Sequence, residues 1–272
     1  MTERAFLEHR GCRLAYATHG DGEPVLLIQG VGVHGDGWSP QVSALAARHR
    51  CLWFDNRGTA ASQPLGSAPL TVTTLAGDAL ALVDAQGWSR AHVIGHSLGG
   101  LIALELALAA PERVRSLSLL CTFARGAAAG ASARMFWLGA RSRVGTRRMR
   151  RHAFLEIVYP PGALAATDRD ALAARLAPLF GHDLADHAPI EMKQLGAMRG
   201  HDVTHRLAEL ARVPTLVVSA RHDPIAPPAL GRAIADGIPG ARFVLLEDAS
   251  HGVPLEDAAR VNALLLDHLA AS

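Results

Sequence analysis

Ser97 stands at the centre of Gly95-His96-Ser97-Leu98-Gly99-Gly100, between the apolar run Ala91-His92-Val93-Ile94 and a longer apolar run from Leu101 to Ala110. Small residues on both sides of a serine let the backbone turn sharply from strand to helix. That turn raises the hydroxyl clear of the sheet and aims the first helical N–H groups at a ligand. A serine hydroxyl is a weak nucleophile, so the chemistry needs a base and an acid further along, in the order Ser, Asp or Glu, His. Asp223 follows the apolar run Thr215-Leu216-Val217-Val218, and His251 follows Phe243-Val244-Leu245-Leu246. Three such groups in that order, each just past an expected strand, predict attack on a carbonyl carbon. In this scheme His251 takes the Ser97 proton and returns it to the leaving group, while Asp223 fixes the imidazole tautomer. Activity is then expected to fall on the acid side, as the imidazole protonates. Glu247 and Asp248 are rivals to Asp223, and position alone singles out His251 among 14 histidines.

The tetrahedral intermediate of such a reaction needs two N–H donors. Leu98, directly after Ser97, supplies one. The glycine-rich loop Gln29-Gly30-Val31-Gly32-Val33-His34-Gly35-Asp36-Gly37 supplies the other, with Val31 the first candidate and Gly32 the next. The same loop reads G-x-G-x-x-G after a strand, with Asp55 at the end of the following strand, which is the pattern of a dinucleotide site. In that fingerprint the third glycine already lies in the helix that meets the pyrophosphate. Here Asp36, Gly37, Trp38, Ser39 and Pro40 intervene, so the helix starts too late.

These groups need a scaffold that delivers distant loops to one place. Short strands are expected over 5–8 and 13–18, and Val25-Leu26-Leu27-Ile28 lacks polar alternation, as a strand covered on both faces would. A helix over 39–48 follows, with Ser39 as N-cap and Pro40 at its first position. After a strand at 51–54 comes a helix with Val72, Leu75, Ala76, Ala79 and Val83 on one face and Asp78 and Asp84 off it. The Ser97 strand, its helix and a strand over 114–120 complete a strict alternation, which implies a parallel sheet with right-handed crossovers. Residues 124–210 break that pattern. They are rich in alanine and arginine, helical in pieces, and interrupted by glycines and prolines, and so read as an inserted cap. Alternation resumes with strands at 215–219 and 241–246, a helix over 228–236, and a last helix carrying Val261, Leu264, Leu265 and Leu269. The expected division is a core of 1–123 and 211–272 with a helical cap of 124–210.

Composition narrows the function classes. The 272 residues suit one large α/β domain with an insertion, and a net charge of +2 is too small to argue for nucleic acid. Cys12, Cys51 and Cys121 are widely spaced and lack metal-ligand spacing, which suits reduced thiols in the cytoplasm. Met1 to Phe6 lacks an apolar leader core, and no apolar run has the length of a bilayer span, so no transmembrane segment is expected. Between Arg134 and Arg151 the cap is arginine-rich without an acid, interleaved with Met135, Phe136, Trp137 and Leu138. An anionic substrate or a membrane could meet it, but a solvated face with its apolar side over the active site is preferred. His201 and His205 have a spacing that could hold a metal, yet no glutamate follows His201, so a polar helix surface is preferred and no metal is expected.

The Ser97 turn, the Asp223 turn and the His251 turn together resemble the α/β-hydrolase fold superfamily from about residue 5 to residue 270. Leu27-Ile28-Gln29-Gly30, Asp55-Asn56-Arg57-Gly58, Pro111-Glu112-Arg113-Val114 and Arg221-His222-Asp223-Pro224 look like its 3-oxoadipate enol-lactonase and esterase branch. The resemblance implies an eight-stranded, mostly parallel sheet flanked by helices, its second strand antiparallel, with a helical cap after the sixth. Two departures stand out: Gln29 replaces the usual histidine before the oxyanion glycine, and Ala60 replaces a usual glycine. The expectation is a cytoplasmic serine hydrolase of small carboxylic esters or lactones, working through an acyl-enzyme on Ser97, His251 and Asp223, without cofactor. Carbon–carbon hydrolysis or cofactor-free haloperoxidase-like chemistry on the same triad is one alternative, and a slow-turnover ligand sensor another. Oligomeric state is not legible.

Overall fold

The computed structural model describes residues 3–272; Met1 and Thr2, which open the stretch read above for a leader, lie outside the described residues. Eight strands form one sheet: β1 (Ala5–His9), β2 (Cys12–His19), β3 (Glu23–Ile28), β4 (His49–Phe54), β5 (Ala91–His96), β6 (Val114–Leu120), β7 (Thr215–Ala220) and β8 (Arg242–Leu246). Their order across the sheet is β1-β2-β4-β3-β5-β6-β7-β8, and only β2 runs against its neighbours, pairing antiparallel with β1 and β4. All other pairings are parallel. This is the α/β-hydrolase fold, reversed second strand included.

Helices α1 (Ser39–Leu45), α2 (Val72–Ala85) and α3 (Leu98–Ala109) alternate with the first strands. Between β6 and β7 lie α4 (Ala133–Arg141), α5 (Arg147–Val158), α6 (Pro161–Ala165), α7 (Arg169–Phe180) and α8 (Glu191–Arg199). The chain closes with α9 (Pro228–Gly237), α10 (Val253–Glu256) and α11 (Ala258–Ala270). The period-2 geometry of a strand splits β3 between two cores. Leu26 and Ile28 pack with residues of α2 and α3, while Val25 and Leu27 pack with Val42 and Leu45 of α1 and with Val261, Leu265 and Leu269 of α11. A third apolar cluster, including Leu155, Leu164, Leu172 and Leu176, belongs to the helices between β6 and β7.

Three local expectations are corrected. Ser39 lies inside α1, which is preceded by a 3-10 turn over Gly35–Trp38 and capped at Trp38, because the loop starts to coil four residues early. Asp78, expected off the buried face of α2, is fully buried, because Arg57 takes both of its oxygens at 2.5 and 2.8 Å. Phe136 and Trp137, expected on a side facing the active site, are 81% and 56% exposed; α4 turns Leu138 inward instead, and Arg141 stacks on the Trp137 ring.

Candidate active site

In a parallel sheet every strand ends on the same edge, and ligand-binding loops collect there. Loops following β3, β5, β7 and β8 carry Gly30, Ser97, Asp223 and His251 to that edge. The tight turn at Ser97 is enforced by contact. A Cβ on Gly95 would lie 2.3 Å from the Gly99 carbonyl oxygen, and one on Gly99 would lie 2.0 Å from that of Ile28. Ser97 itself sits at φ 55°, ψ −121°, a left-handed conformation that costs a non-glycine residue strain and is characteristic of functional turns.

His251 Nδ1 and Asp223 Oδ2 are 2.7 Å apart, with both side chains nearly buried. Asp223 Oδ1 accepts the N–H groups of Ile225 and Ala226, each at 2.8 Å, so the carboxylate cannot rotate away from the ring. Burial opposes its charge, but the facing His251 and these two N–H donors hold the carboxyl below the usual range. Its rivals are elsewhere: Glu247 is ion-paired with Arg221, and Asp248 is exposed. Ser97 and His251 line the same cavity of about 220 Å³, although Ser97 Oγ makes no hydrogen bond among the described residues. Its walls are mainly apolar and include Phe154, Ile157, Phe180, Leu195 and Ile225.

Of the two expected oxyanion donors, Val31 lines this cavity, and Leu98 lies directly behind its lining residue Ser97. Leu98 opens α3, where N–H groups have no helical partner. Gly30 lies against Ser97 so closely that an added Cβ would be 3.2 Å from the serine Cβ, which brings the loop that carries Val31 against the Ser97 turn. Gly32 drops out as a donor because its N–H is already given to Gln194 Oε1 at 2.8 Å. Gln29, expected above to stand at a histidine position, is buried, and its Oε1 accepts the Gly30 N–H at 3.2 Å. Asp55 is bound into the structure rather than offered to a ribose: it accepts from Gly35 N–H and is ion-paired with Arg4. Ala60 takes a positive φ of 44°, a backbone conformation that favours glycine.

Sequence reasoning passed over several residues. His96 donates its Nε2–H to the His251 carbonyl oxygen at 2.8 Å, and its ring lies 4.9 Å from the His251 ring. Burial, reinforced by His251, pushes its pKa down to about 3, so it stays neutral. Glu256 accepts the N–H of Ser250 at 2.8 Å, and burial lifts its carboxyl to about 7. Cys121 is fully buried beside Asp223, which raises its thiol well above the ordinary value and keeps it unreactive. Spacing within the chain carried no signal for any of them, since each acts on a partner far away or on backbone. The arginine-rich stretch finds its acids within the segment between β6 and β7: Arg141 with Glu156, Arg147 with Asp186, Arg148 with Asp170 and Arg151 with Asp183. His201 pairs with Glu105 at 3.2 Å. Among the described residues no cluster of three or more metal-ligating side chains occurs, and no helix is long and apolar enough to cross a membrane.

Comparison with known proteins matches residues 23–258 to a family described by the α/β hydrolase fold. A protein of Azorhizobium caulinodans named as a carbamate hydrolase, RutD, is 36% identical over 258 residues, covering 93% of each chain. A protein of Mycobacterium tuberculosis named as a non-heme bromoperoxidase, BpoC, is 32% identical, covering 95% of this chain and 98% of the other. Among solved structures, the enol-lactonase of Burkholderia xenovorans LB400 is 28% identical with a TM-score of 0.81, covering 98% of this chain and 100% of the other.

Proposed function

The chain belongs to the α/β-hydrolase fold family, and from that membership we propose a serine hydrolase that cleaves small carboxylic esters or lactones through an acyl-enzyme. The observation that carries this reading is the 2.7 Å Asp223–His251 pair, whose His251 lines the same cavity as Ser97. Asp223 holds the imidazole with Nδ1–H toward itself, leaving Nε2 to accept the Ser97 proton as Oγ attacks the carbonyl carbon. The oxyanion that forms is met by the N–H groups of Val31 and Leu98, and collapse of the intermediate expels the alcohol, protonated by His251. Water then repeats the cycle on the acyl-enzyme. The missing Ser97–His251 hydrogen bond does not count against this, because such bonds often close only with substrate in place.

In this reading residues 124–210 are a cap over a core of 1–123 and 211–272, and they supply the apolar walls that receive the substrate's small hydrocarbon part. No cofactor takes part. The location is cytoplasmic, supported by Cys12, Cys51 and Cys121, all free thiols. The carbamate and enol-lactone chemistry named for the two relatives shares the acyl carbon that this site would attack, so both substrate classes belong in the first screen. The test is p-nitrophenyl butyrate turnover together with labelling by a fluorophosphonate. Wild type should turn over and be labelled at Ser97, and Ser97→Ala should do neither; undiminished turnover by Ser97→Ala overturns the reading.

A further inference from the structure

The loop from Gln29 to Gly35 carries the Val31 N–H, which has no partner among the described residues, between Gly30 and Gly32 N–H groups that do. Asn56 Nδ2 donates to the Gln29 carbonyl at 2.9 Å, Gln29 Oε1 accepts from Gly30 N–H, and Asp55 Oδ1 accepts from Gly35 N–H at 2.8 Å. Those three restraints come from the core. The fourth comes from α8, in the segment between β6 and β7: Gln194 Oε1 accepts the Gly32 N–H at 2.8 Å, and its Nε2 donates to Thr59 Oγ1 at 3.0 Å. Gln194 has no exposed surface, and both ends of its amide are engaged.

Gly32 needs this partner. Its φ of +68° turns the Val31–Gly32 peptide into a left-handed bend, and a Cβ there would come within 2.8 Å of Glu191 Cγ, one turn before Gln194 on the same helix. With the amide removed, the Gly32 N–H would be buried without an acceptor, and the peptide next to Val31 would be free to rotate toward another one. Catalysis is sensitive to such rotation, since a misplacement of about 1 Å at a reacting group costs on the order of a hundredfold in rate.

We propose that Gln194 is a positioning residue for the oxyanion loop, so that α8 not only covers the substrate cavity but completes the hole in which the tetrahedral oxyanion is held. This rests on the acyl-enzyme reading above. It makes turnover conditional on α8 being seated: a displacement of the helix that withdraws Gln194 from Gly32 loosens the Val31 N–H while leaving Ser97, His251 and Asp223 in place. Substrate that fills the cavity and packs against Leu195, the next residue of α8, therefore favours the state in which the hole is formed.

The experiment compares wild type, Gln194→Leu, Thr59→Val and Ser97→Ala with p-nitrophenyl butyrate and with butyl trifluoromethyl ketone, whose adduct on a serine places an oxyanion in the hole. Gln194→Leu should lower kcat by about 10- to 100-fold with KM changed less than about threefold, and weaken the ketone by the same factor as kcat/KM. Thr59→Val, which keeps shape and removes only the outer anchor of Gln194, should show a smaller loss in the same direction; it serves alone should Gln194→Leu fail to fold. Amide hydrogen exchange over residues 29–35 should quicken in both variants, whatever the substrate. A kcat within about twofold of wild type, a loss of kcat with ketone affinity unchanged, or unaltered exchange at the loop overturns the proposal. Turnover retained by Ser97→Ala would instead overturn the acyl-enzyme reading, and the two failures are thereby told apart.

Discussion

The molecule buries two acid–base pairs, Asp78 with Arg57 and Asp223 with His251, and they differ in what is left over. Arg57 has five N–H donors, and all are engaged: Nε and Nη2 on Asp78, Nη2 also on the His9 carbonyl, and Nη1 on the carbonyls of Arg10 and Leu65. That pair ties the β1–β2 turn, the loop after β4 and helix α2 together, and it has nothing to offer a ligand. Asp223 is just as fully engaged, but His251 keeps one ring nitrogen without a partner and lines the same cavity as Ser97 and Val31. Hydrogen-bonding capacity left open next to empty space sets the proposed reactive pair apart from the structural one, and burial alone does not.

Disabling the proposed reactive pair or the Ser97 it would serve should affect rate and leave the fold alone. Ser97→Ala is expected to lose about 10⁴- to 10⁶-fold in kcat with an unchanged melting temperature, read by ester turnover and thermal unfolding side by side. Asp223→Asn keeps the shape but presents an amide to the imidazole, so the wrong tautomer is favoured; kcat should fall about 10⁴-fold, again with the fold retained. Breaking the structural pair should do the reverse. Asp78→Ala leaves the Arg57 guanidinium buried without its counter-charge, and should cost about 3–5 kcal/mol in urea unfolding while the kcat of the folded fraction stays within about twofold.

The smallest expected effect concerns Glu256, which supports the backbone next to His251. With its carboxyl raised to about 7, the fold favours the protonated form, whereas the unfolded chain releases that proton in the ordinary carboxylate range. Stability therefore falls as pH rises from that range through about 7, and the full penalty is present above it. Glu256→Gln keeps an acceptor for Ser250 N–H without the charge. It should melt about 2–4 °C above wild type at pH 8 and close to it at pH 5; a lower melting temperature at pH 8 would place the ionised carboxylate among the stabilising groups.

Much of the fold could be read from the chain because its strands are continuous apolar runs ending in turn residues. A strand buried on both faces tolerates no polar alternation, so β3, β5 and β7 announce themselves, and the loops that follow them are where a parallel sheet gathers its chemistry. Ser97, Asp223 and His251 stand out as candidates for that reason. Asp78 was misread because helical periodicity ranks residues by polarity and has no knowledge of a guanidinium arriving from a distant loop. The helices between β6 and β7 were legible only as a block: their segments are short, glycine- and proline-broken, and held by ion pairs such as Arg147–Asp186 whose partners lie far apart in the chain.

What the sequence by itself determined is which residues could react and which strand ends would carry them, since periodicity, chain order and turn chemistry are local properties. The tertiary structure decided the rest: that Asp223 and not Glu247 or Asp248 meets His251, that Val31 and not Gly32 keeps a free N–H, and that a glutamine from α8 is the reason. Those outcomes turn on single hydrogen bonds between groups brought together only by packing. A donor or acceptor counts for chemistry by what remains unpaired after the chain has folded, and no stretch of sequence contains that balance.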